Sequence, residues 1–574
     1  MASTYDKASL VMIPSGTKAS KIFSQKPVNG DGDFTFSRST AATRVNADGN
    51  IEKETQNLLL QSNSFGTTWT KSRTSVTSGQ SGYDGTNDAW LLAGNGTGDF
   101  PYLAMTLSAY SGVVTFSVYA KAGTGEWLVL RVGGNGTPYV NFNVTTGAVG
   151  TTSGSFIEAK TEDAGGGWWR LSITAVASSY TFPTFFINNG NNDFTSHTKN
   201  IYIQDAQLEQ GLVARDVIET TTAAVEGGIT DNVPRLDYTD SSCPALLLEP
   251  QRTNLVTQSE YLLGGSGWSA ANLDRNANAV VSPEGVQNGT EIVATGSGGH
   301  PIYEDLSSTS NGTYTLSMFV KKGVNTSKGD LSDGYSTTSA SFDLDTATIN
   351  ADTAQTLNPF IEPYNNGWYR VGYTLAVTAN QSQPALYLFD SSGNQNYTAN
   401  GETMYIYGFQ IEAGSYATSY IPTYGTSVTR NADSGQVMNL DTNNIVGGSQ
   451  WTFFAELEVH NNTPSSDKMA LTDADSMPRT YLYNTTLGWA GGWTGSSYNL
   501  DLNTNSKVAW RLNDSRNGDI FANGALRASI TNQSVDMTAD RIFLRGAQGK
   551  WRLRQIILFP TALTDQELID LTTL

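Results

Sequence analysis

The feature that most constrains this chain is a long internal repeat. Asn57-Leu58-Leu59-Leu60-Gln61-Ser62 returns as Asn254-Leu255-Val256-Thr257-Gln258-Ser259, and a Trp follows each, Trp69 and Trp268. Thr115 to Gly123 returns as Thr315 to Gly323, Gly167 to Thr174 as Gly367 to Thr374, and Gln207 to Gly211 as Gln410 to Gly414. The central blocks lie 315 − 115 = 200 residues apart. A period of that length is too long for a solenoid unit, so each copy is a whole domain.

Inside a copy, apolar residues alternate with polar ones. Phe116, Val118 and Ala120 face one way and Thr115, Ser117 and Tyr119 the other, the pattern of a half-buried antiparallel strand. Turn clusters such as Gly133-Gly134-Asn135-Gly136 separate the strands. About eight strands in roughly 155 residues, without a helical period, predict a jelly-roll β-sandwich for each copy. The remaining segment has no third copy, yet opens on Trp451 to Val459 with Phe453, Ala455, Leu457 and Val459 inward. It closes on Thr564-Asp565-Gln566-Glu567, a capping box that starts a short helix. The expected fold class is all-β. The expected units are an N-terminal segment 1–55, a jelly roll 56–225, a linker 226–251, a jelly roll 252–428 and a sandwich 429–574.

Composition narrows the function classes. With 34 Lys and Arg against 53 Asp and Glu the net charge is −19, which repels a phosphate backbone and argues against nucleic acid as partner. One cysteine, Cys243, excludes an internal disulfide framework, and its apolar neighbours Ala245 to Leu248 predict burial. Three histidines, His197, His300 and His460, are too far apart for a local metal motif. No apolar run reaches the roughly 18 residues of a spanning helix, and Leu10 to Ile13 is shorter than a signal-peptide core, so neither membrane insertion nor a secretion signal is expected.

Several motifs together resemble a group of bacteriophage virion proteins: Ile13-Pro14-Ser15-Gly16, Gly32 to Arg38, Ala42 to Gly49, and Leu248-Glu249-Pro250-Gln251-Arg252-Thr253-Asn254-Leu255. In that group such an N-terminal segment leads into carbohydrate-binding-module-like jelly rolls and a concanavalin-like, laminin-G-type sandwich, whose end Leu558 to Leu568 resembles. The resemblance implies a structural protein of the virion, assembled in the host cytoplasm and released by lysis. Its N-terminal segment would dock to other virion proteins, and its domains, as a homo-oligomer, by family habit a trimer, would bind host-surface polysaccharide as a tail fibre or adhesin. The alternative is a head fibre, capsid decoration or adaptor that binds no glycan.

Candidate glycan contacts are aromatic, because a flat ring packs against the C–H face of a pyranose. Trp168-Trp169 and Trp368-Tyr369 alternate on a strand; Trp168 and Trp368 are expected in the core, which leaves Trp169 and Tyr369 outward. Trp489 and Trp493 stand in a glycine-rich stretch that suits a presenting loop. No catalytic residue is assigned: phosphate-binding loops, nucleophile elbows and zinc-protease helices are absent, and Glu456 and Glu458, about 6.5–7 Å apart by strand rise, read as a solvated face. No cofactor or metal ligand set is assigned; Asp84 with Asp88, or Asp343 with Asp345, are the acids available to a structural calcium. Arg170 and Arg370 are expected to pair with Glu209 and Glu412 at equivalent sites.

Overall fold

The computed structural model describes residues 2–306, 310–334, 338–377, 383–446, 448–461, 467–475, 478–489, 497–531 and 538–574. The protein is all-β: two jelly-roll sandwiches and a terminal concanavalin-like sandwich that ends in the helix Asp565–Thr572. Each repeat builds two six-stranded sheets with the same strand order, twelve strands where the sequence suggested about eight. In the first copy Tyr110–Ala122 lies between Trp168–Tyr180 and Asn200–Gln210; in the second, Gly312–Lys322 lies between Trp368–Val377 and Thr403–Ala413. Phe116, Val118, Leu171 and Ile173 fill the first core as the alternation predicts, with Leu316, Met318, Val371 and Tyr373 in the second.

The repeated motifs form a polar latch that closes each sandwich. The Asn57 amide donates to the Ala206 and Ile218 carbonyls at 3.0 and 2.8 Å, and its oxygen accepts from the amides of Leu59 and Leu208. Asn254 does the same with Phe409, Ile421, Val256 and Ile411. Gln207 donates to Glu209 at 2.7 Å, as Gln410 does to Glu412, and each glutamate accepts the backbone amide of the exit loop, Arg215 or Thr418. Arg170 and Arg370 therefore do not pair with these acids, a correction to the expected ion pairs. Each instead donates to the carbonyl of that loop residue, Arg370 to Thr418 at 2.7 Å. A neutral amide and one backbone N–H already occupy each carboxylate, with the Thr418 hydroxyl added at Glu412, which leaves the guanidinium for the carbonyl.

The terminal sandwich is discontinuous. Strand Leu10–Met12 and strand Ala245–Leu248 lie along the edge of Trp551–Phe559, while Phe34–Ser37 pairs with Ser434–Val437. Leu10, Phe34, Phe36 and Leu246 sit in one core with Phe453, Leu457 and Trp510. The 1–55 stretch expected as a separate segment, and the 226–251 stretch expected as a linker, thus contribute strands to the terminal sandwich. Thr564 caps the last helix as predicted, accepting from the Glu567 amide at 3.3 Å while Glu567 accepts from Thr564 at 2.9 Å.

Buried ions lock this weave. Arg38 meets Asp433 at 3.1 Å, Arg235 meets Glu249 at 2.7 Å and also Asp433, and Arg430 meets Glu249 at 2.7 Å, all excluded from solvent. Two of the sequence motifs thereby acquire structural roles: Arg38 ends Gly32 to Arg38, and Glu249 belongs to Leu248 to Leu255. Cys243 is exposed rather than buried, because the apolar run after it leaves to pair with Trp551–Phe559 while Cys243 stays in the turn.

Candidate functional site

Of the aromatic residues singled out from sequence, Trp169, Tyr369 and Trp489 are packing elements. Leu171 and Ile173 face the sandwich interior, so Trp169, two residues before Leu171, shares their side and packs, half-buried, at the core margin; Tyr369 does the same in the second copy. Trp168 and Trp368 are buried as expected, but on the outer face of their sheets. Trp168 lies edge-on to Tyr83, and Trp368 clusters with Ile51, Phe319 and Tyr407. Trp489 is on strand Thr486–Trp489, not in a loop, and is 4% exposed with its ring 5.8 Å from Trp451. That corrects its expected role: Gly518 lies flat against the indole and makes room for it inside the core. Trp493 lies outside the described residues.

The acids are likewise engaged. Glu456 accepts from Asn505 at 2.8 Å, and Glu458 opens into a different hollow. Asp343 pairs with Lys328 and Asp345 with Lys322, at 2.9 and 2.6 Å, and Asp88 accepts from Gln204. Among the described residues no group of three or more His, Cys, Asp or Glu is arranged to hold a metal.

A different set of aromatics converges on the outer face of the first jelly roll. Strand Thr184–Asn188 sends Phe185 and Ile187 into the core and Phe186 outward; Tyr102–Ala104 sends Leu103 inward and Tyr102 outward; Tyr139–Asn143 does the same with Val140 and Tyr139. Tyr102 meets Phe186 edge-on at 5.8 Å and Phe182 at 6.3 Å. Phe194 crosses Phe186 at 5.4 Å and Tyr139 at 5.9 Å, and Phe100 stacks on Phe194 at 5.2 Å. Six rings thus form a continuous platform, with Phe186 itself buried, 4% exposed, beneath Arg131 and Phe194 and the other five at its surface.

Phe100 is its outermost member, 53% exposed, with a φ of 60°. A bulky side chain in the left-handed region is strained, at a cost of about 1–3 kcal/mol, and such strain persists where the surroundings enforce it. Here they do: the Phe100 amide donates to the Phe194 carbonyl at 2.8 Å, the Ser196 amide to Asp99 at 3.1 Å, and Arg73 to the Asp99 carbonyl at 2.6 Å. The result is a large apolar ring held in water.

Polar groups border the rings. The Arg131 guanidinium lies 4.6 Å over Phe186 and donates to the Gly133 carbonyl and to Asn135; burial against the rings lowers its pKa. The Tyr139 hydroxyl donates to Asn192 at 3.1 Å. Among the described residues the second copy has no such platform. Strand register puts Tyr387 where the first copy has Phe186, Asp330 for Val129, Ser332 for Arg131 and Ser339 for Tyr139. A signal was present in the sequence: Tyr102, Tyr139 and Phe186 are aromatic at outward positions on strands whose inward positions are already apolar.

No family model and no curated protein matches the chain. Among solved structures it is similar to the CBM40 of the Ruminococcus gnavus IT-sialidase bound to α2,3-sialyllactose, with 16% identity, 22% of this chain and 84% of that one covered, and a TM-score of 0.18. It is also similar to the CBM22-1–CBM22-2 tandem domain of Xyn10C from Paenibacillus barcinonensis, with 14% identity over 62% of this chain and 98% of that one, TM-score 0.22. A third similar structure is domain 4 of AbnA, a GH43 extracellular arabinanase from Geobacillus stearothermophilus, in complex with arabinotriose, with 15% identity, 28% and 81% coverage, and a TM-score of 0.20.

Proposed function

We propose that the chain is a non-catalytic surface protein of a phage particle, of the tail fibre or adhesin kind, whose first jelly roll grips a host-surface polysaccharide on its aromatic platform. The observation that carries the binding half is Phe100, a half-exposed ring fixed in a strained backbone and stacked on Phe194 above four further aromatics. Exposed apolar clusters with a polar border mark interaction surfaces. Pyranose C–H faces pack on the rings, while sugar hydroxyls reach Arg131, Asn135 and Asn192 at the edge. A sheet face without deep walls suits a chain passing across it better than a small molecule. The virion half rests on the motifs in 13–49 and 248–255.

Adsorption of the purified protein to host cells tests this reading. Saturable adsorption that free surface polysaccharide competes away supports it. A folded protein that does not adsorb refutes it and favours capsid decoration or an adaptor without glycan binding; immunogold labelling of the terminal sandwich then distinguishes head from tail.

A further inference from the structure

Where the second jelly roll meets the terminal sandwich, two hollows open. One, of about 340 Å³, is bordered by Val45, Ile51, Leu247 and Tyr364. The other, of about 500 Å³, has Phe360, Tyr416, Ala417 and Leu502 on its walls. Both are lined by Glu362, His460, Asn503 and Lys550, so they are two ends of one groove. Glu362 and Phe360 belong to strand Leu357–Pro363 of the jelly roll, and His460, Asn503 and Lys550 to the terminal sandwich. Two asparagines in the left-handed conformation shape the walls: Asn358, φ 46°, in the bulge of that strand, and Asn503, φ 55°, opposite it.

The charges in this groove are distributed unusually. Arg44 is paired with Glu52 at 2.8 Å, and Arg552 with Asp237 at 3.3 Å. His460 contacts Asn503 at 3.0 Å, and burial with the nearby cations keeps it neutral, its pKa lowered to about 3. Lys550 and Glu362 line both hollows, and neither side chain closes an ion pair or hydrogen bond with any described residue, each other included; Lys550 acts on Glu249, Glu458 and His460 only through longer-range electrostatics. Two opposite charges that face one space without closing on each other leave a donor and an acceptor free across a gap. An anionic ligand would satisfy Lys550 and be repelled by Glu362 and Glu458; a cation would meet the reverse. A hydroxyl group serves both, since its oxygen accepts from the ammonium and its hydrogen is donated to a carboxylate. The rings of Phe360 and Tyr416 supply the apolar surface that a sugar also needs.

We infer that this groove binds an uncharged sugar ring, as a second glycan site separate from the aromatic platform, with Lys550 and Glu362 as its hydrogen-bonding poles. The ligand class rests on the glycan-binding reading above; the groove and its free charges do not. Because the walls belong to two sandwiches, occupancy ties them together and raises the stability of the junction by mass action.

The test is saturation-transfer NMR on the full chain with the methyl glycosides of glucose, galactose and N-acetylglucosamine as probes, alongside thermal unfolding with the same probes. Three proteins are compared: wild type, a Phe100→Ala/Phe194→Ala variant, and that platform variant carrying Lys550→Met/Glu362→Gln as well. The expected result is transfer to at least one glycoside with a raised melting point in wild type and in the platform variant, and loss of both when the groove substitutions are added to the platform variant. Glu362→Gln alone, at an exposed position, is the second groove variant and is expected to weaken the signal without changing the ligand-free melting point. No transfer in the platform variant, or transfer that persists after the groove substitutions are added to it, overturns the site. Failure of the platform reading looks different: polysaccharide adsorption is then unchanged by Phe100→Ala/Phe194→Ala while the groove signal persists.

Discussion

Lys53 of the N-terminal stretch meets Glu260 of the second jelly roll at 2.7 Å, with side chains 2% and 1% exposed. The same ammonium reaches Glu284 at 2.5 Å, and Glu284 also pairs with Arg215, which follows the last strand of the first jelly roll. Three parts of the chain thus meet in one dry cluster of two cations and two carboxylates. Its stability depends on completeness, because removing one partner strands a buried charge. Lys53→Met is expected to cost about 3–5 kcal/mol in urea unfolding. A loss no greater than that of a surface lysine would show that the cluster is solvated.

The weave of the terminal sandwich gives a second expectation. Expressed alone, residues 429–574 lack the strands Leu10–Met12, Phe34–Ser37 and Ala245–Leu248, and with them Leu10, Phe34, Phe36 and Leu246 of the core. Exposed strand edges and a hollowed core oppose folding. The fragment should show no cooperative thermal transition by circular dichroism, whereas a sharp melt would mean that the sandwich is self-sufficient.

The latches predict a symmetric effect. Asn57→Ala and Asn254→Ala each remove four hydrogen bonds and leave buried backbone groups unpaired. Each should cost roughly 2–4 kcal/mol, about 1 kcal/mol for each bond less what relaxation recovers. The two sites share no partners, so the losses should add in the double variant. Unequal or strongly non-additive losses would show that the copies are not equivalent.

A pH effect follows from Asp330, which is 7% exposed on the outer face of the second jelly roll. Burial first, and then the neighbouring Asp352, push its carboxyl from 3.8 up to about 8. The folded chain therefore keeps a proton that the unfolded chain has released between those values, so this group's contribution is full below pH 3.8 and is lost as pH rises to about 8. Asp330→Asn cannot ionise, and its advantage over wild type should grow across that window and level off at roughly 1–3 kcal/mol above it. Denaturant midpoints measured across the range check this; an advantage independent of pH would contradict the assignment.

Much of the fold was legible in the sequence because the signals are local. The alternation in Thr115 to Ala120 and in Trp451 to Val459 fixes which residues face the cores, and the Thr564-x-x-Glu567 spacing fixes the last helix. The weave was not legible, since Leu10 pairs with Leu558 across the whole chain and no local pattern marks such a partner. The site was only partly legible. Parity shows that Trp168 and Trp169 face opposite ways, but Leu171 and Ile173 decide that Trp169 faces inward. The glycines around Trp489 read as a loop, whereas Gly488 and Gly518 make room in strands for Tyr481 and for the Trp489 indole. The platform as a whole is not marked by any local pattern, because Phe100 and Tyr102 lie about 80 residues before Phe182, Phe186 and Phe194, and all fall outside the repeated blocks.

The central claim is that the platform of the first jelly roll holds a host-surface polysaccharide. Its most direct test is binding of wild type and of a Phe100→Gly/Phe194→Ala variant to the immobilised polymer, with melting temperature recorded for both. Glycine adopts the Phe100 backbone without strain, so the melting temperature should not fall below that of Phe194→Ala alone. Each lost ring should remove about 1–2 kcal/mol of binding, a combined loss of roughly thirty-fold or more in affinity. Retained affinity in a folded variant would contradict the claim and move the binding surface elsewhere on the chain.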